Sequence, residues 1–134
     1  MMREQYNTFH LAIPCKDLDE TIEFYVFKLG CKLARKYDDR VTIDFFGDQV
    51  VCHLNPEGID LNPALYPRHF GITFKNRIDF DNLLKLIEIR NVPIYAAPFT
   101  RFKGTVEEHT SVVLIDPANN LLEFKHYLDP RMMY

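Results

Sequence analysis

Two stretches of the chain share one pattern, a short strand followed by a turn and an amphipathic helix. This repeat restricts the possible folds more than any other feature of the sequence. The first copy runs from Thr8 to Leu29, and a weaker second copy begins at Arg68. Each copy has a histidine early in its strand, His10 in the first and His69 in the second. Short runs with the two-residue alternation of strands follow each copy. The sequence therefore predicts an α+β fold built from two βαβββ modules.

The rest of the chain fits one domain that contains both modules. The 134 residues are 47% hydrophobic, which is enough for a compact core. The stretch 56–67 is rich in proline and has no periodicity, so it predicts a linker. We place module one at about 6–55 and module two at about 68–128, within a single domain of residues 1–134.

Composition excludes several classes of partner. The net charge is −3 and no cluster of basic residues is present, which argues against nucleic acid as a partner. No apolar run is long enough to span a membrane, and the N-terminus lacks the apolar core of a signal peptide. The cysteines, Cys15, Cys31 and Cys52, are odd in number and lack CxxC spacing. We therefore expect a protein of the reducing cytoplasm.

Local signals predict the ends of several elements. Asp17 has the spacing of a helix cap, and Gly30 is predicted to end the first helix. Asp79 is predicted to begin the second helix and Asn91 to end it. The stretch from Pro98 to His109 is predicted to be a loop beside a site. His126 is predicted to lie on the surface.

Four side chains lie on the less apolar faces of otherwise apolar strands. His10 and His69 lie in the first strands, and His53 and Glu123 lie in the last strands of the two modules. Two histidines and a carboxylate can bind one face of a divalent metal and leave positions open for substrate. Taken singly, His53 is better interpreted as an ordinary hydrogen-bonded strand histidine, and Glu123 fits an exposed strand residue equally well. Their matched places in the two modules favour a metal site.

Three segments carry a resemblance to a known family: HLAIPCKDLDETIEFYVFKLGCKL, HFGITF and IDPANNLLEFK. In these segments the chain resembles the vicinal oxygen chelate superfamily, which includes glyoxalases, bleomycin resistance proteins and extradiol dioxygenases. The resemblance implies paired βαβββ modules that form a cup around a divalent metal. It also implies that His10, His69 and Glu123 are ligands. His53 is assigned to the place where glyoxalases commonly have Glu or Gln, as a fourth ligand or base.

The resemblance leaves three functions open. The leading one is a non-haem Fe(II) dioxygenase-like enzyme that acts on a small diol or hydroxy-keto compound. The second is a glyoxalase-like lyase or isomerase that uses Ni(II) or Zn(II), and Mn(II) also suits the ligand set. The third is a binding protein of the antibiotic-resistance kind. Family habit also implies a homodimer.

Further residues are candidates for catalysis or substrate binding. Glu123 and His53 are candidate acid/base groups, and His109 is a third, although a solvated loop histidine is the alternative for His109. Tyr37, Arg40 and Arg101 are candidates for binding an anionic substrate, with a surface role as the alternative for each.

Overall fold

A computed structural model describes residues 3–134 of the chain. Within these residues the strands form one four-stranded and one three-stranded sheet. The strands are β1 (His10–Cys15), β2 (Lys32–Lys36), β3 (Arg40–Phe45), β4 (Asp48–Leu54), β5 (Ile94–Arg101), β6 (His109–Ile115) and β7 (Leu121–Tyr127). The longer helical segments are α1 (Leu18–Ile22), a π-helix that continues it (Glu23–Lys28), and α2 (Arg77–Arg90); short 3-10 turns cover Pro56–Gly58 and Pro130–Met133. The predicted α+β class is confirmed.

The first of two compact units extends to Leu61 and also includes Pro117–Asn120. Its sheet has the order β1-β4-β3-β2. Strand β1 pairs with β4 in parallel, while β3 pairs antiparallel with both β2 and β4. The first and last strands of this βαβββ segment therefore lie side by side.

The second unit comprises Asn62–Asp116 and Leu121–Tyr134, and its sheet has the antiparallel order β5-β6-β7. The segment 68–74 runs parallel to β7 and meets it at two isolated bridges, Phe70 with Leu122 and Thr73 with Lys125. The predicted first strand of module two therefore forms only these two bridges and not a continuous strand. Its parallel pairing with the last strand repeats the arrangement of the first unit.

The first helix begins and ends where the sequence predicts. The side chain of Asp17 accepts a hydrogen bond of 2.8 Å from the amide of Glu20, which satisfies one of the unpaired donors of the first turn. The helix then widens into a π-helix, and Tyr25 is fully buried. Gly30 follows with φ of 87°, a left-handed conformation that glycine adopts without strain.

The second helix differs from the prediction only at its start. It begins at Arg77, two residues before Asp79, with Asn76 as the capping residue. Phe80 and Ile87 on its apolar side are buried. Asn91 ends it with φ of 54°, as the predicted stop requires.

Two expectations for the second half of the chain are wrong. The stretch predicted as a loop from Pro98 to His109 is partly strand, because β5 continues to Arg101 and β6 already begins at His109. Two register shifts in the pairing of β5 with β6 hid this strand from a two-residue periodicity. His126 is buried rather than on the surface, and its Nδ1 lies 3.0 Å from the carbonyl oxygen of Phe74.

No helix within residues 3–134 is both long and apolar enough to cross a membrane.

The three cysteines give a direct test of this core. Cys15, Cys31 and Cys52 are all buried, and none of them is in a disulfide. Burial, together with the nearby negative charge of Asp44, raises the pKa of the Cys31 thiol to about 12. Since the thiolate is the reactive form, we expect no thiol to react with Ellman's reagent at pH 8 until the protein unfolds. Rapid labelling of the folded protein would contradict this packing, and guanidinium-denatured protein is the positive control.

Candidate metal centre

His69 and Glu123 lie in direct contact within the second unit. The Nε2 atom of His69 is 3.1 Å from Oε2 of Glu123. The segment 68–74 supplies the histidine and β7 supplies the carboxylate, so the parallel pairing of these two segments creates the contact. Glu123 is only 8% exposed, and a buried carboxylate needs a positive partner to offset its lost hydration.

A backbone hydrogen bond fixes the tautomer of His69. The Nδ1 atom lies 2.6 Å from the carbonyl oxygen of Leu65. A carbonyl oxygen only accepts, so Nδ1 must carry the proton and donate it. In the neutral ring, Nε2 therefore presents a lone pair to Glu123, whose ionised oxygen is also an acceptor. The contact is stable only if a proton on Nε2 or a metal cation lies between the two groups.

The contact has the chemistry and spacing of a metal-ligand pair. Metal-bound histidines commonly donate their other ring N–H to a backbone carbonyl, as His69 does to Leu65. Two ligand atoms at right angles on a metal with bonds of about 2.1 Å are about 3.0 Å apart, close to the observed separation. Imidazole and carboxylate together suit Fe(II), Mn(II), Ni(II) and Zn(II). The donors present therefore fit a divalent metal, although residues 3–134 contain no cluster of three or more His, Cys, Asp or Glu side chains.

Gly71 permits the close approach of the two segments. A Cβ atom added at Gly71 would lie 1.7 Å from the carbonyl oxygen of Glu123, a distance that no side chain can tolerate. The amides of Glu123 and Lys125 donate to the carbonyl oxygens of Phe70 and Ile72 at 2.8 and 3.1 Å. Glycine is therefore required here so that the ladder places His69 beside Glu123.

In the first unit, His10 has a partner that the sequence analysis missed. Its Nδ1 atom lies 2.6 Å from Oε1 of Gln49. The amide oxygen accepts, so Nδ1 donates and Nε2 keeps a lone pair that can bind a metal. Gln49 is directly opposite His10 in the parallel pairing of β1 and β4. Periodicity alone gives no parallel register, so the sequence offered no signal for Gln49.

His53 does not lie beside His10. It is opposite Pro14 in β1 and Arg40 in β3, and it is exposed. It lies four residues beyond Gln49 along β4, which corresponds to about 13 Å. Gln49 marks the position of His10, so His53 is too far along the strand to bind a metal held by His10. We therefore leave His53 out of the ligand set.

The candidate substrate-binding residues of the first unit contact each other. The guanidinium of Arg40 lies 3.9 Å from the centre of the Tyr37 ring and forms an ion pair of 2.7 Å with Asp39. Both Tyr37 and Arg40 are partly exposed. The charge of the Arg40 guanidinium is thus paired with its own neighbours. This agrees with a surface role for Arg40, the alternative to substrate binding.

The candidates of the second unit have different surroundings. Arg101 donates to the hydroxyl of Tyr66, and the Tyr66 ring lies 5.8 Å from that of His69. His109 is 8% exposed, so it is not a solvated loop residue. Its Nδ1 lies 2.9 Å from the carbonyl oxygen of Glu107, and its ring lies 4.6 Å from that of Tyr127.

Replacing Gly71 with alanine is expected to separate the segment 68–74 from β7. The Cβ clash should destabilise the protein by about 1–3 kcal/mol, the usual cost of overpacking. Hydrogen exchange should become faster at the amides of Glu123 and Lys125, which donate to this segment. Gly104→Ala is the control for backbone strain alone: its φ of +81° disfavours alanine, but its Cβ meets nothing within 4 Å, so protection of these two amides should be kept. Unchanged protection of both amides in Gly71→Ala would contradict the requirement for glycine.

Comparisons with known proteins agree with this architecture. The model of the Glyoxalase/Bleomycin resistance protein/Dioxygenase superfamily matches residues 8–124. The glyoxalase domain-containing protein RDO1 of Mycosarcoma maydis is 30% identical over 125 residues, which cover 91% of this chain and 69% of that protein.

Solved structures extend the comparison. The crystal structure of a glyoxalase/bleomycin resistance protein/dioxygenase from Alicyclobacillus acidocaldarius is 59% identical, with a TM-score of 0.95 over 99% of this chain and 100% of that chain. A lactoylglutathione lyase from Agrobacterium tumefaciens shares the fold at 18% identity, with a TM-score of 0.66 over 90% of this chain and 92% of that chain. The chain therefore belongs to the Glyoxalase/Bleomycin resistance protein/Dioxygenase superfamily.

Proposed function

We propose that this protein is a metal-dependent enzyme that binds a small substrate through two neighbouring oxygen atoms. The proposed ligands are His10, His69 and Glu123. The contact between Nε2 of His69 and Oε2 of Glu123 carries the proposal, because the tautomer fixed by Leu65 leaves two acceptors face to face. His10 belongs to the first unit and enters as the third ligand that the family resemblance implies.

The chain's own residues have defined tasks in this proposal. A divalent metal, when bound, acts as a Lewis acid that stabilises negative charge on the substrate oxygens. Leu65 orients the His69 ring through its carbonyl, and Gln49 orients the His10 ring in the same way. Burial of Glu123 excludes water and strengthens its interaction with any cation that it holds.

The leading reaction is a non-haem Fe(II) dioxygenase-like conversion of a small vicinal diol or hydroxy-keto compound. Two histidines and one carboxylate that leave neighbouring positions open are the ligand set of many such enzymes. His10, His69 and Glu123 match this set by residue type.

A glyoxalase-like lyase or isomerase that uses Ni(II) or Zn(II) is the second candidate. It is favoured by Gln49, which lies 2.6 Å from His10. According to the family resemblance, glyoxalases commonly have Glu or Gln as the further ligand or base, and the sequence analysis had assigned this place to His53. Gln49 beside His10 supplies this residue type within the first unit, which supports a glyoxalase-type reaction. Glu123 is then the residue proposed to transfer the proton.

Assembly and location are further parts of the proposal. The family resemblance supports a homodimer. The other proposed partner is a small-molecule substrate. Three buried cysteines outside any disulfide are compatible with a reducing cytoplasm. Light scattering of the purified protein tests the dimer.

Metal content tests the ligand set. Untagged wild-type protein, loaded with Fe(II) or Ni(II) and desalted, is expected to retain close to one metal per chain in elemental analysis. His69→Ala, Glu123→Ala and His10→Ala each remove a proposed ligand and should lose most of the metal. His53→Ala is the matched control, since this exposed histidine should leave the metal content unchanged. Absence of metal from loaded wild-type protein would overturn the proposal and favour the binding-protein alternative.

Substrate assays distinguish the two reactions. Oxygen uptake by Fe(II)-loaded protein with a panel of catechols is the expected result for the leading candidate, and Glu123→Ala should abolish it. Turnover of the methylglyoxal–glutathione hemithioacetal by Ni(II)-loaded protein, without oxygen uptake, would instead establish the second candidate.

A further inference from the structure

The side chains around Glu123 continue into a series of contacts on one face of the second sheet. The Nζ atom of Lys125 lies 4.0 Å from Oε2 of Glu123, on the side chain that also contacts His69. The same Nζ lies 5.3 Å from the centre of the Tyr127 ring. Glu123, Lys125 and Tyr127 alternate along β7, so all three side chains point to the same face.

The series then crosses to the neighbouring strands. The ring of Tyr127 lies 4.6 Å from the ring of His109, which lies 5.8 Å from that of Phe102. The guanidinium of Arg101 lies 5.2 Å from the centre of the Phe102 ring. Arg101 is opposite His109 in the pairing of β5 with β6, and His109 is opposite Tyr127 in β7. Residues directly opposite each other share a sheet face, so these side chains lie on the face of Glu123.

Tyr66 connects Arg101 back to His69. Its hydroxyl accepts a hydrogen bond from Arg101, and its ring lies 5.8 Å from that of His69. We call this closed series of contacting side chains the polar ring. Its members are Glu123, Lys125, Tyr127, His109, Phe102, Arg101, Tyr66 and His69.

A buried hydroxyl without a partner lies on the same face. Ser111 is opposite Lys125 in β7 and opposite Phe99 in β5. It is fully buried, and its Oγ has no hydrogen-bond partner among the residues that the structure describes. A buried polar group left unpaired is costly, so the Ser111 hydroxyl is available to donate a hydrogen bond to a group that enters the site.

The polar ring has more positive than negative charge. Lys125 and Arg101 are permanent cations, and Glu123 is the carboxylate within the ring. Among the ion pairs of residues 3–134, none includes Arg101, and the ion pair of Lys125 is the long one with Glu123. Once Glu123 binds a divalent metal, its charge is committed to the metal. Lys125 and Arg101 then lack a counterion, and the site attracts an anion.

We propose that the polar ring binds a carboxylate group of the substrate, with Lys125 and Arg101 as its cations and the Ser111 hydroxyl as a hydrogen-bond donor. This inference rests on the proposed function and specifies its substrate as a small carboxylic acid that carries vicinal oxygens. The carboxylate lies close to the chelating oxygens, because Lys125 Nζ is 4.0 Å from Glu123. Because Ser111 is fully buried, this proposal requires the Lys125 side chain opposite it to move when the carboxylate binds.

A matched pair of probes tests the substrate class. Calorimetry measures the binding of 3,4-dihydroxybenzoate and of neutral 4-methylcatechol to Zn(II)-loaded protein, in which no redox turnover interferes. Wild type should bind the acid about 10-fold more tightly, as expected for a charge-assisted contact. Lys125→Met should remove the preference while 4-methylcatechol binds as before. Lys85→Met, on the exposed side of α2, is the control and should keep the preference.

Ser111→Ala separates a binding role from a structural one. Removing an unpaired buried hydroxyl should raise the Tm of the unliganded protein and lower the preference for the acid several-fold. A lower Tm with unchanged preference would show that the hydroxyl serves the fold, and it would remove Ser111 from the proposal.

Failure of the carboxylate site and failure of the proposed metal centre give different results in these experiments. Equal affinity for both probes in metal-loaded wild type overturns the carboxylate site and leaves the metal centre standing. If no metal binds, the metal-free protein is titrated with benzoate. Binding of benzoate that Lys125→Met abolishes supports the carboxylate site alone, and absence of benzoate binding overturns it.

Discussion

The arrangement of the second unit depends on one contact, in which the lone pair of His69 faces the carboxylate of Glu123 at 3.1 Å. Two acceptors repel each other unless a positive species lies between them. The carbonyl of Leu65 excludes the alternative tautomer by accepting a hydrogen bond from Nδ1, which carries the only N–H of the neutral ring. Burial of Glu123 then makes an unbalanced negative charge costly. We propose that a divalent metal cation bound by both side chains meets these demands, and that it leaves positions open for substrate.

The backbone creates this contact through parallel pairing of the first and last segments of each unit. In the first unit the pairing of β1 with β4 sets His10 opposite Gln49. In the second unit the segment 68–74 runs along β7, and Gly71 allows it to approach the backbone of Glu123. The same topology therefore joins a histidine near the start of each unit to an oxygen donor on its last strand.

Sequence patterns predicted the elements better than the contacts between them. Local chemistry predicted the Asp17 cap and the Asn91 stop, because each depends on residues a few positions apart. Gln49 was missed as the partner of His10 because alternation identifies a strand face but not the register of a parallel pair. Burial of His126 and the continuation of β5 to Arg101 depend on neighbouring strands, and no short-range pattern reports them.

Crystals of Fe(II)- or Zn(II)-loaded protein, measured at the absorption edge of the metal, test the central claim most directly. The account predicts an anomalous peak within bonding distance of both Nε2 of His69 and Oε2 of Glu123. A peak elsewhere, or none in protein shown to contain metal, would contradict it; the His69–Glu123 contact would then be an ion pair closed by a proton.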